Sequence, residues 1–122
     1  MSAHILIVED EPMLREAFRL MLEDSGYRVS EAGTGAEARA AVRAGMPDLV
    51  MMDLGLPDVS GLDIALEITN DPALAHIIVI ALTGRVGVAE KQACLDAGFK
   101  AYFAKPLSPK ELLRRLPDLL AP

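Results

Sequence analysis

Residues 6–12 read "LIVEDEP". Three apolar residues in a row fit a buried strand, yet they run straight into Glu9, Asp10 and Glu11 with nothing basic beside them. Adjacent carboxylates repel one another and resist burial. A strand ending this way needs a compensating group from elsewhere in the fold.

Counting "HILIV" (4–8), which ends in the apolar half of that stretch, five apolar runs punctuate the chain: the others are "YRVSEA" (27–32), "DLVMMD" (48–53), "IIVIAL" (77–82) and "AYFA" (101–104). The first, third and fourth are nearly continuous in apolar residues, as in a parallel sheet covered on both faces. The second alternates and belongs nearer an edge. Helical spacing fills the gaps, over about 12–24, 35–44, 61–70 and 87–97, with a fifth helix opening at "SPKE". Pro12 suits a first turn; Gly26, Gly45 and Gly98 suit helix ends. On the first helix Leu14, Ala17, Phe18, Met21 and Leu22 share one stripe, which predicts a core-facing side. On the fifth, Ser108 is an N-cap, Pro109 fits the first helical position and Glu111 completes a capping box. Leu112, Leu113 and Leu116 then face the sheet, and Pro117 is expected to kink or end the helix early. Five β-α units with right-handed crossovers predict an α/β fold: a five-stranded parallel sheet, doubly wound, with helices on both faces.

The 122 residues suit one domain, taken as 1–122. A hydrophobic fraction of 52% supports a real core, and a net charge of −6 argues against a nucleic-acid surface. One cysteine, Cys94, excludes an internal disulfide and reads as a small buried hydrophobe. With no signal peptide and no apolar run long enough to span a bilayer, the expectation is a cytoplasmic protein without membrane contact. His4 and His76 start strands, on the rim away from the acids. Asp58, Asp63 and Asp71 read as loop and helix-start acids.

In doubly wound sheets the site lies beyond the C-terminal strand ends. Strand one supplies Glu9, Asp10 and Glu11 there, strand three Asp53, strand four Thr83 and Gly84, and strand five Lys105. Helix capping explains one or two of the first acids but not Asp53, which follows "LVMM" with no capping pattern behind it. Clustered carboxylates call for a cation, and oxygen ligands without His or Cys favour Mg²⁺ over zinc. Asp10 and Asp53 are the natural direct ligands, with Glu9 acting through a water and Glu11 starting the helix. A carboxylate, a hydroxyl and an ammonium around Mg²⁺ point to phosphoryl chemistry. Asp53 would form an aspartyl phosphate, while Lys105 and Thr83 engage the phosphoryl oxygens.

These residues resemble the receiver domain of two-component response regulators, of which the chemotaxis response regulator is the type member, along the whole chain. "ILIVEDEP" is similar to the family's acidic-pair motif, "PDLVMMDLGLPDVSG" to its phosphoacceptor motif, "ALTG" to its switch-hydroxyl motif and "AYFAKPLS" to its last motif. The resemblance implies a flavodoxin-like (βα)5 receiver fold and assigns roles to single residues. Asp53 would be the phosphoacceptor, Glu9 and Asp10 metal ligands and Gly55 a ligand through its backbone carbonyl. Thr83 and Tyr102 would be switch residues, Gly84 would leave room for the phosphoryl group, and Lys105 would bind phosphate before a cis bond to Pro106. It implies a sensor histidine kinase or phosphotransfer protein as donor, and a downstream protein or effector domain controlled through the face of helix 4, strand 5 and helix 5. The chain would be a monomer or a phosphorylation-dependent dimer, and a switch rather than an enzyme, catalysing only its own phosphotransfer and dephosphorylation.

Gly55 and Arg85 occupy positions that, by resemblance, tune dephosphorylation, and "TGRVGV" is expected to be a mobile loop. Met13 and Leu20 lie off the core stripe of the first helix and read as surface hydrophobics, or as part of a docking patch for a kinase or phosphotransfer helix. A phosphatase of the haloacid-dehalogenase kind would want an acid two residues after Asp53, where Gly55 stands. A non-phosphorylated pseudo-receiver would lose some of Asp10, Asp53, Thr83 and Lys105, and all four are present. A receiver excised from a longer kinase or transcriptional regulator remains a further reading, since Pro117 and Pro122 suit either an end or a linker.

Overall fold

Helices cover both faces of a central sheet because its inner strands are apolar on both sides. In β1 (His4–Val8), Ile5 and Ile7 point to one layer and Leu6 and Val8 to the other, all buried. The computed structural model describes residues 2–84 and 87–121, with Val88 described by its backbone alone. The chain continues through α1 (Pro12–Asp24), β2 (Arg28–Ala32), α2 (Gly35–Gly45), β3 (Leu49–Asp53), α3 (Gly61–Asn70), β4 (Ile78–Thr83), α4 (Val88–Asp96), β5 (Ala101–Ala104) and α5 (Pro109–Leu120).

All strand pairs are parallel, in the order β2-β1-β3-β4-β5. Leu6, Val8, Val50, Met52, Val79 and Ala81 pack against α2, α3 and α4. Ile5, Ile7, Leu49, Met51, Ile80, Leu82 and Phe103 pack against α1 and α5. Burying each large aliphatic side chain is worth roughly 1.5–3 kcal/mol, so these two layers hold the sheet together. Because β2 and β3 flank β1 on opposite sides, the chain reverses direction across the sheet between β1 and β3, opening a crevice at their C-terminal ends.

Two local expectations need correction. Pro117 neither ends nor shortens α5, which runs on to Leu120. Proline costs one i→i−4 hydrogen bond, but Leu116 and Leu119 on either side of it are buried, and Lys100 Nζ donates to the Leu119 carbonyl at 3.0 Å. α2 ends at Gly45 as expected, and the cap after it is Met46, in the left-handed region at φ 44°, whose N–H donates to Val42 O. Ala17 is exposed, because Phe18 and Leu22 form the buried edge of α1. Gly26 and Gly98 do adopt positive φ, at 95° and 93°. Cys94 is buried as expected, in the layer of α2, α3 and α4, and burial pushes its thiol pKa up.

Candidate functional site

β1, β3, β4 and β5 end on one rim. There, Glu9, Asp10 and Asp53 each offer a carboxylate oxygen, all within 4.8 Å of one another. Asp10 and Asp53 line a cleft of about 580 Å³ together with Gly55, Ser60, Leu62, Thr83, Gly84, Glu90 and Lys105.

Sequence neighbours separate sharply here. Glu9 extends the ladder by one residue, its N–H donating to Ala32 O at 3.0 Å, and its side chain is 1% exposed. Asp10 is exposed at the mouth of the cleft. The Glu9 carboxylate accepts from Lys105 Nζ at 3.1 Å and from the Glu11 N–H at 3.2 Å. Burial nevertheless pushes its pKa up to about 7. Arg15, from α1, donates to the Glu9 main-chain carbonyl at 2.8 Å and pairs with Glu31 at 3.4 Å, so this guanidinium braces the acidic corner from outside.

Asp53 closes β3 and is 4% exposed. Its Oδ1 accepts from the Gly55 N–H at 3.0 Å and lies 3.4 Å from Lys105 Nζ. Lys105 reaches both acids because its own N–H donates to Thr83 O at 2.8 Å, pinning the residue after β5 to the end of β4. Burial alone would lower the lysine pKa; Glu9 and Asp53 outweigh it and hold the ammonium above its ordinary value. The bond from Lys105 to Pro106 is cis. Thr83 is buried at the end of β4, and a Cβ added at the exposed Gly84 would meet nothing within 4 Å, so the cleft stays open there. Tyr102 is half-buried on β5 and packs on the side of α4. Burial raises its phenol pKa, with Cys94 and Glu90 acting in the same direction.

The structure therefore brings Glu9, Asp10, Asp53, Gly55, Thr83 and Lys105 together and pairs Tyr102 with Ala81, two residues before Thr83 on β4. Arg85 lies outside the described residues, as do Val86 of the glycine-containing loop and Pro122. His4 and His76 sit on the far rim, His4 Nε2 2.6 Å from Ser30 Oγ. Met13 and Leu20 are exposed, at 80% and 54%. Sequence reasoning missed Glu90, Arg15 and the reach of Asp58, which accepts from the N–H groups of Gly35 and Ala36 at the start of α2. No local pattern announces a bond between residues so far apart.

The donor set decides which cation the cleft suits. Three carboxylates with no imidazole or thiolate beside them fit a hard cation such as Mg²⁺ and not zinc. An adjoining lysine and hydroxyl make the same cleft suitable for a phosphoryl group.

A doubly wound parallel sheet with this cleft at its reversal point is an α/β domain built to act on a ligand outside its strand ends. The chain belongs to the response regulator receiver domains, whose family model matches residues 5–117, and its role lies in phosphorylation-dependent two-component signalling. It is 34% identical over 120 residues to the polar-differentiation response regulator DivK of Brucella ovis, covering 98% of each chain. It is 39% identical over 117 residues to the probable transcriptional regulatory protein TcrX of Mycobacterium tuberculosis, covering 95% of this chain and 49% of that one. Among solved structures, a putative response regulator from Chloroflexus aurantiacus superposes with a TM-score of 0.93 at 30% identity over the full length of both chains. The receiver domain of the sensor histidine kinase PA1611 from Pseudomonas aeruginosa, solved with a magnesium ion coordinated in its active-site cleft, superposes with a TM-score of 0.88 at 32% identity over 98% of each chain.

Proposed function

We propose that residues 1–122 form a single receiver domain that accepts a phosphoryl group on Asp53 from a histidine kinase or a histidine phosphotransfer protein. The observation that carries this reading is Asp53 itself. It is a nearly buried carboxylate at a strand end, 3.4 Å from Lys105 Nζ and within 4.8 Å of two further acids. Asp10 and Asp53 would hold Mg²⁺ directly, Gly55 through its backbone carbonyl and Glu9 through a water. Bound there, the ion would neutralise charge on the phosphoryl oxygens.

One Asp53 oxygen attacks phosphorus as the P–N bond to the donor imidazole breaks, giving an acyl phosphate. The Lys105 ammonium stabilises negative charge on the transferring group. Gly84 leaves space beside that group, and the Thr83 hydroxyl hydrogen-bonds one of its oxygens. Thr83 then shifts toward the phosphoryl group, Tyr102 moves inward, and the α4–β5–α5 face changes shape for a downstream protein or effector domain. That change is a population shift, driven by the better fit of the phosphorylated site to one of two states. Hydrolysis of the acyl phosphate resets it. The match to half of TcrX supports a second setting for the same switch, a receiver within a longer regulator.

Intact mass after incubation with Mg²⁺ and acetyl phosphate tests the assignment. A single phosphate adduct on the wild type, absent in Asp53→Ala and absent without Mg²⁺, is the expected result. If no adduct appears, and a beryllium fluoride mimic also leaves the Tyr102 resonances unmoved, the phosphoacceptor reading fails.

A further inference from the structure

The loop of residues 54–60, between β3 and α3, carries Gly55 and is held at two points. At its far end, a Cβ on Gly61 would meet Asp53 O at 2.6 Å and Met52 Cγ at 2.9 Å, so the start of α3 lies hard against the end of β3. Nearer its middle, Asp58 accepts from the Gly35 N–H at 2.7 Å and the Ala36 N–H at 3.1 Å. These donors belong to the first turn of α2 and have no partner within their own helix. The fit is close: a Cβ on Gly35 would collide with Val59 and lie 3.1 Å from Asp58 Oδ1.

α2 does not depend on Asp58 for its cap. Thr34 Oγ1 already accepts from the Glu37 N–H at 3.1 Å, and Glu37 reaches back to the Gly33 N–H at 2.7 Å. The two Asp58 bonds therefore serve the loop at least as much as the helix. Three residues before Asp58, the Gly55 N–H donates to Asp53 Oδ1 at 3.0 Å. Between the Asp53 and Asp58 carboxylates the backbone of 55–58 is fixed at both ends.

We propose that Asp58 is a positioning residue: by tying the 54–60 loop to Gly35 and Ala36 it sets Gly55 for the cation, and so couples cation binding to the first turn of α2. The proposal rests on the assignment of Gly55 to the cation site made above. Because coupling is reciprocal, a cation that fixes Gly55 favours the Asp58 contact in turn. The corner of α2 then becomes a second place, away from α4–β5–α5, where the state of the cleft is felt.

The test is a Mg²⁺ titration of the wild type, Asp58→Ala, Asp58→Asn and Thr34→Ala by amide NMR, with hydrogen exchange at positions 35 and 36 measured with and without saturating Mg²⁺. In the wild type, Mg²⁺ slows exchange at both amides. Asp58→Ala raises the Mg²⁺ Kd about tenfold, the size of effect seen when a group supporting a metal ligand is lost, and abolishes the slowing. Asp58→Asn keeps one acceptor oxygen and falls between. Thr34→Ala weakens the same helix end without touching the loop and keeps the wild-type Kd. A folded Asp58→Ala with unchanged Kd overturns the proposal, as does a Thr34→Ala that weakens binding equally. If Asp58→Ala does not fold, a wild-type Kd in Asp58→Asn overturns it and an intermediate Kd upholds it. A wild type without any Mg²⁺ response, or an Asp53→Ala that binds as well, refutes the cation site itself, and the positioning role with it.

Discussion

Lys105 Nζ lies 3.4 Å from Asp53 Oδ1, the same oxygen that accepts the Gly55 N–H, and 3.1 Å from Glu9 Oε1. One ammonium thus answers two nearly buried carboxylates from different strands. Removing it leaves both without their cationic partner and, among the described residues, strips the cleft of its positive side chain. Lys105→Ala is therefore expected to slow phosphate-adduct formation from acetyl phosphate about 100-fold, the usual effect of losing one charge-stabilising donor. A mass time course at fixed Mg²⁺ checks this, and an unchanged rate would remove Lys105 from the mechanism.

Gly61 packs where no side chain fits. Gly61→Ala must push the Asp53 carbonyl, 2.6 Å from the new Cβ, or unseat Met52. Overpacking of this kind costs about 1–3 kcal/mol. A lower urea midpoint at unchanged slope measures that cost. Adduct formation should also fall, because the displaced atom belongs to Asp53.

Met46 closes α2 at φ 44°. A residue with a Cβ is strained there by about 1–2 kcal/mol, and glycine is not, although glycine adds freedom to the unfolded chain. Met46→Gly is expected to stabilise the fold by about 0.5–1 kcal/mol. The side chain is 42% exposed, so the packing it loses offsets part of that gain. Urea unfolding decides the sign.

The pKa of Asp58 is lowered, chiefly by the Gly35 N–H, with burial opposing and the Ala36 N–H assisting. A carboxyl whose folded pKa is depressed adds stability that is fully present above its unfolded pKa, about 3.9, and lost as pH falls through the lower folded value. Asp58→Asn should accordingly be less stable than the wild type at pH 7, with the difference shrinking below about pH 4. Thermal midpoints of both proteins at pH 7 and pH 3 provide the comparison. A difference that stays constant with pH would mean the charge is immaterial.

The layout of the sheet was legible because β1, β3 and β4 are covered on both faces and read as unbroken apolar runs. Once strand order is fixed, the residue after each strand falls on a known rim, which is why Asp53, Thr83 and Lys105 could be picked from sequence. The division between Glu9 and Asp10 was not legible. Both follow the same strand, and the Lys105 ammonium that meets the buried Glu9 carboxylate lies 96 residues away in sequence. Pro117 misled because local propensity says nothing about the leucines on either side, whose burial holds the helix together. α2 ends at Gly45 as read, but nothing in the local pattern marks Met46 as the left-handed residue that follows. Asp58 looked like any loop acid, since its partners lie 22 and 23 residues upstream.

Cys94 is the one thiol in the sequence, 1% exposed on the inner side of α4, in the layer that also takes Tyr102. An alkylating reagent can reach it only when α4 lifts or the domain opens. Its labelling rate under native conditions therefore acts as a built-in stopwatch for that helix, read without adding a probe. Compared with and without a bound phosphoryl mimic, it reports how firmly α4 is held on the sheet.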